Sequence, residues 1–137
     1  MRTIIFFCTI FLSSAACAGQ DWNFSAPHIQ RCSDGAQQQM NACMADEYAK
    51  VDARLNAAYK KLVNLLDDVS KLKNAQVAWL RFRDSSCEYE NSGIGRDGSL
   101  YPFVQYACRI DFSEKRIRDL QRYLAWDGND SPPRKSP

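Results

Sequence analysis

The side chains able to do chemistry are few and scattered. His28 is the only histidine in 137 residues, so neither a histidine-activated nucleophile nor a multi-histidine metal site can be assembled. It follows Pro27 in a stretch without periodicity and reads as a solvent-exposed side chain. Two carboxyl groups can share general acid and base work. Asp46, Glu47 and Asp52 fall along one expected helix and Asp67 with Asp68 at its end, positions that a solvated face and a turn explain without a cleft. Gly93, Gly95 and Gly98 lack the preceding strand and following lysine that a phosphate-cradling loop requires. These residues compose no catalytic, metal or cofactor site, and the expectation is a protein that is not an enzyme.

Thiol chemistry is better represented. Residues 1–18 have the three parts of a secretory signal: basic Arg2, an apolar run over 4–12, and small residues ending in Ala16-Cys17-Ala18. The run is well short of the ~20 residues of a membrane span. Cleavage is expected after Ala18. A lipid-anchored alternative rests on Cys17, but Ser14 stands where a lipobox carries an aliphatic residue. A soluble periplasmic or secreted product ranks first, with membrane attachment only if Cys17 is lipidated. Of six cysteines, Cys32, Cys43, Cys87 and Cys108 then remain. In an oxidising compartment four cysteines read as two disulfides. Structural zinc wants close C-x₂₋₄-C pairs, which are absent. Three pairings are open, and we favour the sequential one, Cys32 with Cys43 and Cys87 with Cys108.

Removing 18 of 137 residues leaves 119, enough for one domain with one core. Arg2 leaves with the signal, so 17 basic residues face 16 acidic ones, a net charge of +1. That balance argues against a nucleic-acid partner, which calls for a basic face well in excess of its acids.

The elements that must hold these residues are helical. Residues 19–35 read as an irregular lead-in. Met40, Met44, Tyr48, Val51, Leu55, Ala58, Leu62 and Leu65 then recur at steps of four and three, one apolar stripe on a long helix over 36–66. Asp67, Asp68 and Ser70 can accept hydrogen bonds from the free N–H groups that open a second helix over 71–90. Leu72, Ala75, Trp79, Phe82 and Tyr89 are expected on its inner face. So short a link makes the two helices an antiparallel hairpin, with Leu62 and Tyr59 facing Gln76 and Trp79. The glycine-rich segment 91–98 is expected as an exposed loop. Ser99 can cap a short third helix with Pro102 in its first turn. Asp111 with Glu114, or Ser113, can open a fourth carrying Ile117, Leu120 and Leu124 and ending at Gly128. Residues 127–137, with three prolines and nothing to bury, are expected to be disordered. The fold class is all-α: a small bundle of three or four helices built on a long antiparallel hairpin and stapled by two disulfides, with its domain over 36–126.

Gln76 and Arg83 are seven residues apart with Trp79 between them, so polar groups lie on the inner side of the second helix and need partners there. Asp52, Asn56 and Tyr59 on the facing helix are within reach, and the set reads as fixing the register of the hairpin.

In order along the chain stand Gln39-Met40-Asn41-Ala42-Cys43, Asp52-x-x-Leu55-Asn56-x-x-Tyr59, Ala75-Gln76-x-Ala78-Trp79-x-x-Phe82-Arg83-Asp84-x-x-Cys87, Gly98-Ser99-x-Tyr101-Pro102 with Cys108, and Arg116-x-x-x-Leu120. This pattern resembles the LprI-type lysozyme-inhibitor-like proteins of bacterial envelopes over roughly residues 32–124. The resemblance implies an exported, helical, cysteine-linked domain without catalytic residues and, for some members, inhibition of lysozyme.

Two functions follow as expectations. In the first, the chain binds lysozyme, and Arg96 at the tip of the glycine-rich loop enters the cleft and bonds its two carboxyls. An acidic patch of Asp46, Glu47 and Asp52 is the other candidate contact. In the second, the chain is a non-inhibitory periplasmic interaction or immunity-like module that binds another envelope protein.

Overall fold

The computed structural model describes residues 26–126 and 131–135. The expected signal peptide, Cys17 and most of the lead-in therefore lie outside the described residues. Among these residues four helices follow one another: α1 (Pro27–Arg31), α2 (Gln37–Leu65), α3 (Ser70–Glu90) and α4 (Tyr101–Leu124). No described residue belongs to a strand beyond one isolated bridge, Leu66 with Arg134. The fold is all-α, with disulfides Cys32–Cys43 and Cys87–Cys108 in the sequential pairing.

The direction of the helices can be read from their contacts. Asn41 meets Ser99, Tyr48 meets Tyr106 and Arg54 meets Glu114, so contacts advance together along α2 and α4, and these two run parallel. Gln76 meets Arg116 and Cys87 meets Cys108, so α3 runs antiparallel to both. The expected α2–α3 hairpin is present in direction, yet the main packing partner of α2 is α4. The reason lies in the side chains. Met44, Val51, Leu55, Ala58 and Leu62 of α2 meet Phe103, Val104, Ala107, Ile110, Ile117 and Leu120 of α4 in one apolar core, whereas the fully buried residues of α3 are Gln76, Arg83 and Cys87.

Several expectations need correction. Phe82 and Tyr89 are not on the inner face of α3; they are 61% and 80% exposed. At about 100° per residue the face centred on Gln76, Arg83 and Cys87 turns them outward. The third and fourth helices are one. Asp111, Ser113 and Glu114 sit inside α4 because its apolar stripe runs unbroken through Ile110 and Ile117, with no glycine or proline to end a helix. The capping acids act sideways instead, Asp111 toward His28 and Glu114 toward Arg54. Within the lead-in, Pro27 starts a short helix at a position where its missing N–H costs nothing, and Ala26, Ile29 and Cys32 are buried. At the other end α4 stops at Leu124, while Gly128 lies outside the described residues. Of the tail expected to be disordered, Arg134 is placed, donating to the carbonyls of Tyr123 (3.1 Å), Leu124 (3.4 Å) and Trp126. A cation at a helix C-terminus satisfies carbonyls that have no partner in the helix.

Candidate functional site

The glycine-rich loop, residues 91–100, joins α3 to α4 and is tied down at both ends. Asn91 is 1% exposed; its N–H donates to the Cys87 carbonyl at 3.1 Å and its own carbonyl accepts from Ile94 N–H at 3.0 Å. Gly98 N–H donates to Gly95 O at 2.9 Å, and Tyr101 N–H to Gly98 O at 3.0 Å. From α2, the Asn41 amide donates to the Ser99 carbonyl at 2.8 Å. Beneath the loop lie the Cys87–Cys108 disulfide and a hydrogen bond from the Gln105 amide to Cys87 O at 3.1 Å. These bonds offset the entropy that three glycines lose on ordering. Arg96 projects from this base with 72% of its side chain exposed, its guanidinium 3.3 Å from Glu88 Oε1 on α3. A shallow hollow of about 230 Å³ adjoins it, lined by Glu88, Tyr101, Pro102, Gln105, Tyr106 and Arg109.

The three acidic residues on α2 are not brought together. Asp46 is exposed and Asp52 half-buried, accepting from the Asn56 amide at 2.9 Å. Glu47 accepts from Arg31 and, at 2.8 Å, from Lys50; these hydrogen bonds hold its carboxyl at about 2, well below the carboxylate range. One and five residues apart on a helix, the three point in different directions.

Glu47 lines a larger groove of about 560 Å³ between α1, α2 and α4. His28 lines it too, and the expectation of an exposed histidine fails here: His28 is 8% exposed, its Nε2 3.7 Å from Asp111 Oδ1. Burial pushes the His28 pKa down and that of Asp111 up, so each group is drawn toward its neutral form. Its position on α1 could not be foreseen, because a five-residue helix carries no periodicity to read.

Gln76 and Trp79 of the α3 polar set meet Arg116 of α4, where Asp52, Asn56 and Tyr59 of α2 were expected. Gln76 Oε1 accepts from Arg116 Nε at 2.9 Å, and the Trp79 ring lies 5.2 Å from the Arg83 guanidinium and 5.7 Å from that of Arg116. Arg83 also stands 5.9 Å from the Tyr48 ring. Tyr59 packs half-buried against the core and Asn56 is exposed. The missed signal was the four- and three-residue spacing of Arg109, Ser113 and Arg116, a polar stripe on an otherwise apolar helix.

The chain matches the family model described as "Lysozyme inhibitor LprI" over residues 30–120. It belongs to the LprI family. Both disulfides, the anchored loop and the polar seam of this LprI protein fall inside the matched residues. Relatives include the uncharacterized protein R02472 of Rhizobium meliloti (strain 1021), 27% identical over 82% of this chain and 91% of that one. A second is the uncharacterized protein YecT of Escherichia coli (strain K12), 31% identical over 61% of this chain and 62% of that protein. No solved structure matches. No helix among the described residues of this LprI protein is long and apolar enough to cross a membrane.

Proposed function

We propose that this LprI protein is exported to the periplasm or beyond and inhibits lysozyme, presenting the Arg96 loop to the enzyme's substrate cleft. The family description supports an inhibitor in place of an enzyme. The observation that carries the site is a cation 72% exposed on a loop anchored at both ends.

Lysozyme cleaves glycosidic bonds with one carboxyl held protonated in an apolar pocket and a second ionised. A guanidinium can bond both and occupy the place of the sugar. To do so Arg96 gives up its exposed contact with Glu88, worth ~0.2–1 kcal/mol. Pairing in a desolvated cleft returns ~2 kcal/mol or more, and an ordered loop adds little further entropy cost on binding.

The test is a turbidity assay in which mature oxidised protein is added to hen-type lysozyme acting on cell walls. Arg96→Ala should keep the melting temperature and weaken inhibition about 30-fold, the equivalent of ~2 kcal/mol. Arg96→Lys should recover part of it, since an ammonium lacks the two-pronged geometry. Full potency with alanine at position 96 overturns the assignment of the loop. No inhibition by the wild type at micromolar concentration favours the non-inhibitory envelope module.

A further inference from the structure

Where α3 meets α4 near α2, buried hydrogen-bond donors outnumber their acceptors. Arg83 and Arg116 are 5% and 8% exposed and Ser113 is 0% exposed. Arg83 Nη1, Arg116 Nη2, Ser113 Oγ and Arg109 Nε all lie out of solvent without a hydrogen-bond partner among the described residues. Three of these four groups sit on one stripe of α4, at positions 109, 113 and 116, and the fourth belongs to the arginine that shares the Trp79 ring with Arg116.

Charge is as unbalanced as hydrogen bonding. Asp84 Oδ1 lies 2.9 Å from Arg83 Nη2 and 3.6 Å from Arg109 Nε. Among the described residues Arg116 bonds the neutral Gln76 amide, at 2.9 Å. Asp52, on the neighbouring face of α2, is bonded to Asn56. Asp84 thus faces two of the three guanidiniums. A buried cation with an unused donor is destabilising, and an anion offsets that through both charge and hydrogen bonds. Asp84 and Arg109, beside Arg83, keep 47% and 34% of their side chains exposed.

We infer that this seam is a binding site for one small inorganic anion, which accepts hydrogen bonds from Arg83, Arg116 and Ser113. The bound ion neutralises the buried charge and ties α3 to α4 behind the Cys87–Cys108 disulfide. The site is independent of the Arg96 loop and of any lysozyme partner.

Thermal unfolding of the mature oxidised protein at pH 7 and constant ionic strength tests this, with sodium gluconate replaced stepwise by chloride or by phosphate. Expected is a rise in Tm of about 4 °C or more that saturates with the bound ion, the more effective salt identifying a halide or an oxyanion site. Arg116→Met leaves the buried Gln76 Oε1 without its donor and so should melt lower in gluconate, and should lose the saturating rise. Arg96→Ala should keep it. A linear response that is the same in wild type and Arg116→Met overturns the site, because it marks a general salt effect. Should the variant not fold, wild-type crystals soaked in bromide and in arsenate decide between them. An anomalous peak beside Arg83 and Arg116 supports the site, and water alone there refutes it.

Discussion

Replacing Trp79 with alanine tests whether the polar seam is a structural part of this LprI protein. Full removal of a buried aromatic costs ~3–5 kcal/mol; Trp79 is half-buried, so about half of that, ~2 kcal/mol, is lost packing. The ring also faces two guanidiniums at 5.2 and 5.7 Å. Each belongs to a buried arginine, and a desolvated contact of this kind is worth ~1 kcal/mol or more. The expected loss is therefore ~4 kcal/mol, large against a typical total of 5–15 kcal/mol. Trp79→Phe keeps an aromatic face and should lose only ~1–2 kcal/mol. Urea unfolding followed by circular dichroism at 222 nm measures both without depending on tryptophan emission, and the m-value should stay near that of the wild type. A loss below ~1.5 kcal/mol for Trp79→Ala would refute the reasoning, for it would mean that the arginines do not depend on the ring.

Reduction should lower stability by ~2–5 kcal/mol per bridge, and mass mapping during partial reduction should find Cys32–Cys43 opened before Cys87–Cys108, whose sulfurs sit on residues 0% and 3% exposed. Glu47 is held at about 2 against an ordinary 4.5, so its contribution is complete above pH 4.5 and is lost as pH falls toward 2. Its partners Arg31 and Lys50 are exposed, which limits that contribution to ~1 kcal/mol; acid titration of Glu47→Gln should lack this part of the decline. Gly35 has φ 98° and a side chain there would meet Gln39 Oε1 at 2.6 Å, the atom that accepts from Ala36 N–H at 2.9 Å at the start of α2. Gly35→Ala should therefore cost ~1–2 kcal/mol in a melt, whereas Gly95→Ala, with open space around it, should change stability by less than ~1 kcal/mol.

Much of this fold was legible because it is written in local periodicity. The stripe from Met44 to Leu62 announces α2, the glycines of 91–98 announce a loop, and Gln76-x-x-Trp79-x-x-x-Arg83 announces a polar inner face, all of which depend only on residues a few positions apart. The family, too, was legible, since its ordered blocks are themselves features of the linear chain. The continuity of α4 was harder to see. Asp111, Ser113 and Glu114 match the local rules for a helix start, and only the packing of Ile110 and Ile117 against α2 overrides them.

What the linear chain could not decide is which helix each face meets. A stripe is equally apolar whatever covers it, so nothing local says that α2 pairs chiefly with α4. The same holds for charge: Arg116, Glu114 and Asp111 are ordinary helical residues until α4 is placed, when they become partners of Gln76, Arg54 and His28 across separations of 40, 60 and 83 residues. Arg96 was singled out by its place among glycines, but the bond from Asn41 that steadies its loop exists only once α2 meets the loop there. Sequence alone determined α2, α3, the loop and the polar face, because these follow from short-range hydrogen bonding and periodicity. The tertiary structure decided the burial of His28, the outward turn of Phe82 and Tyr89, and the meeting of Arg83 with Arg116, because solvent exposure and charge compensation are properties of the assembled helices.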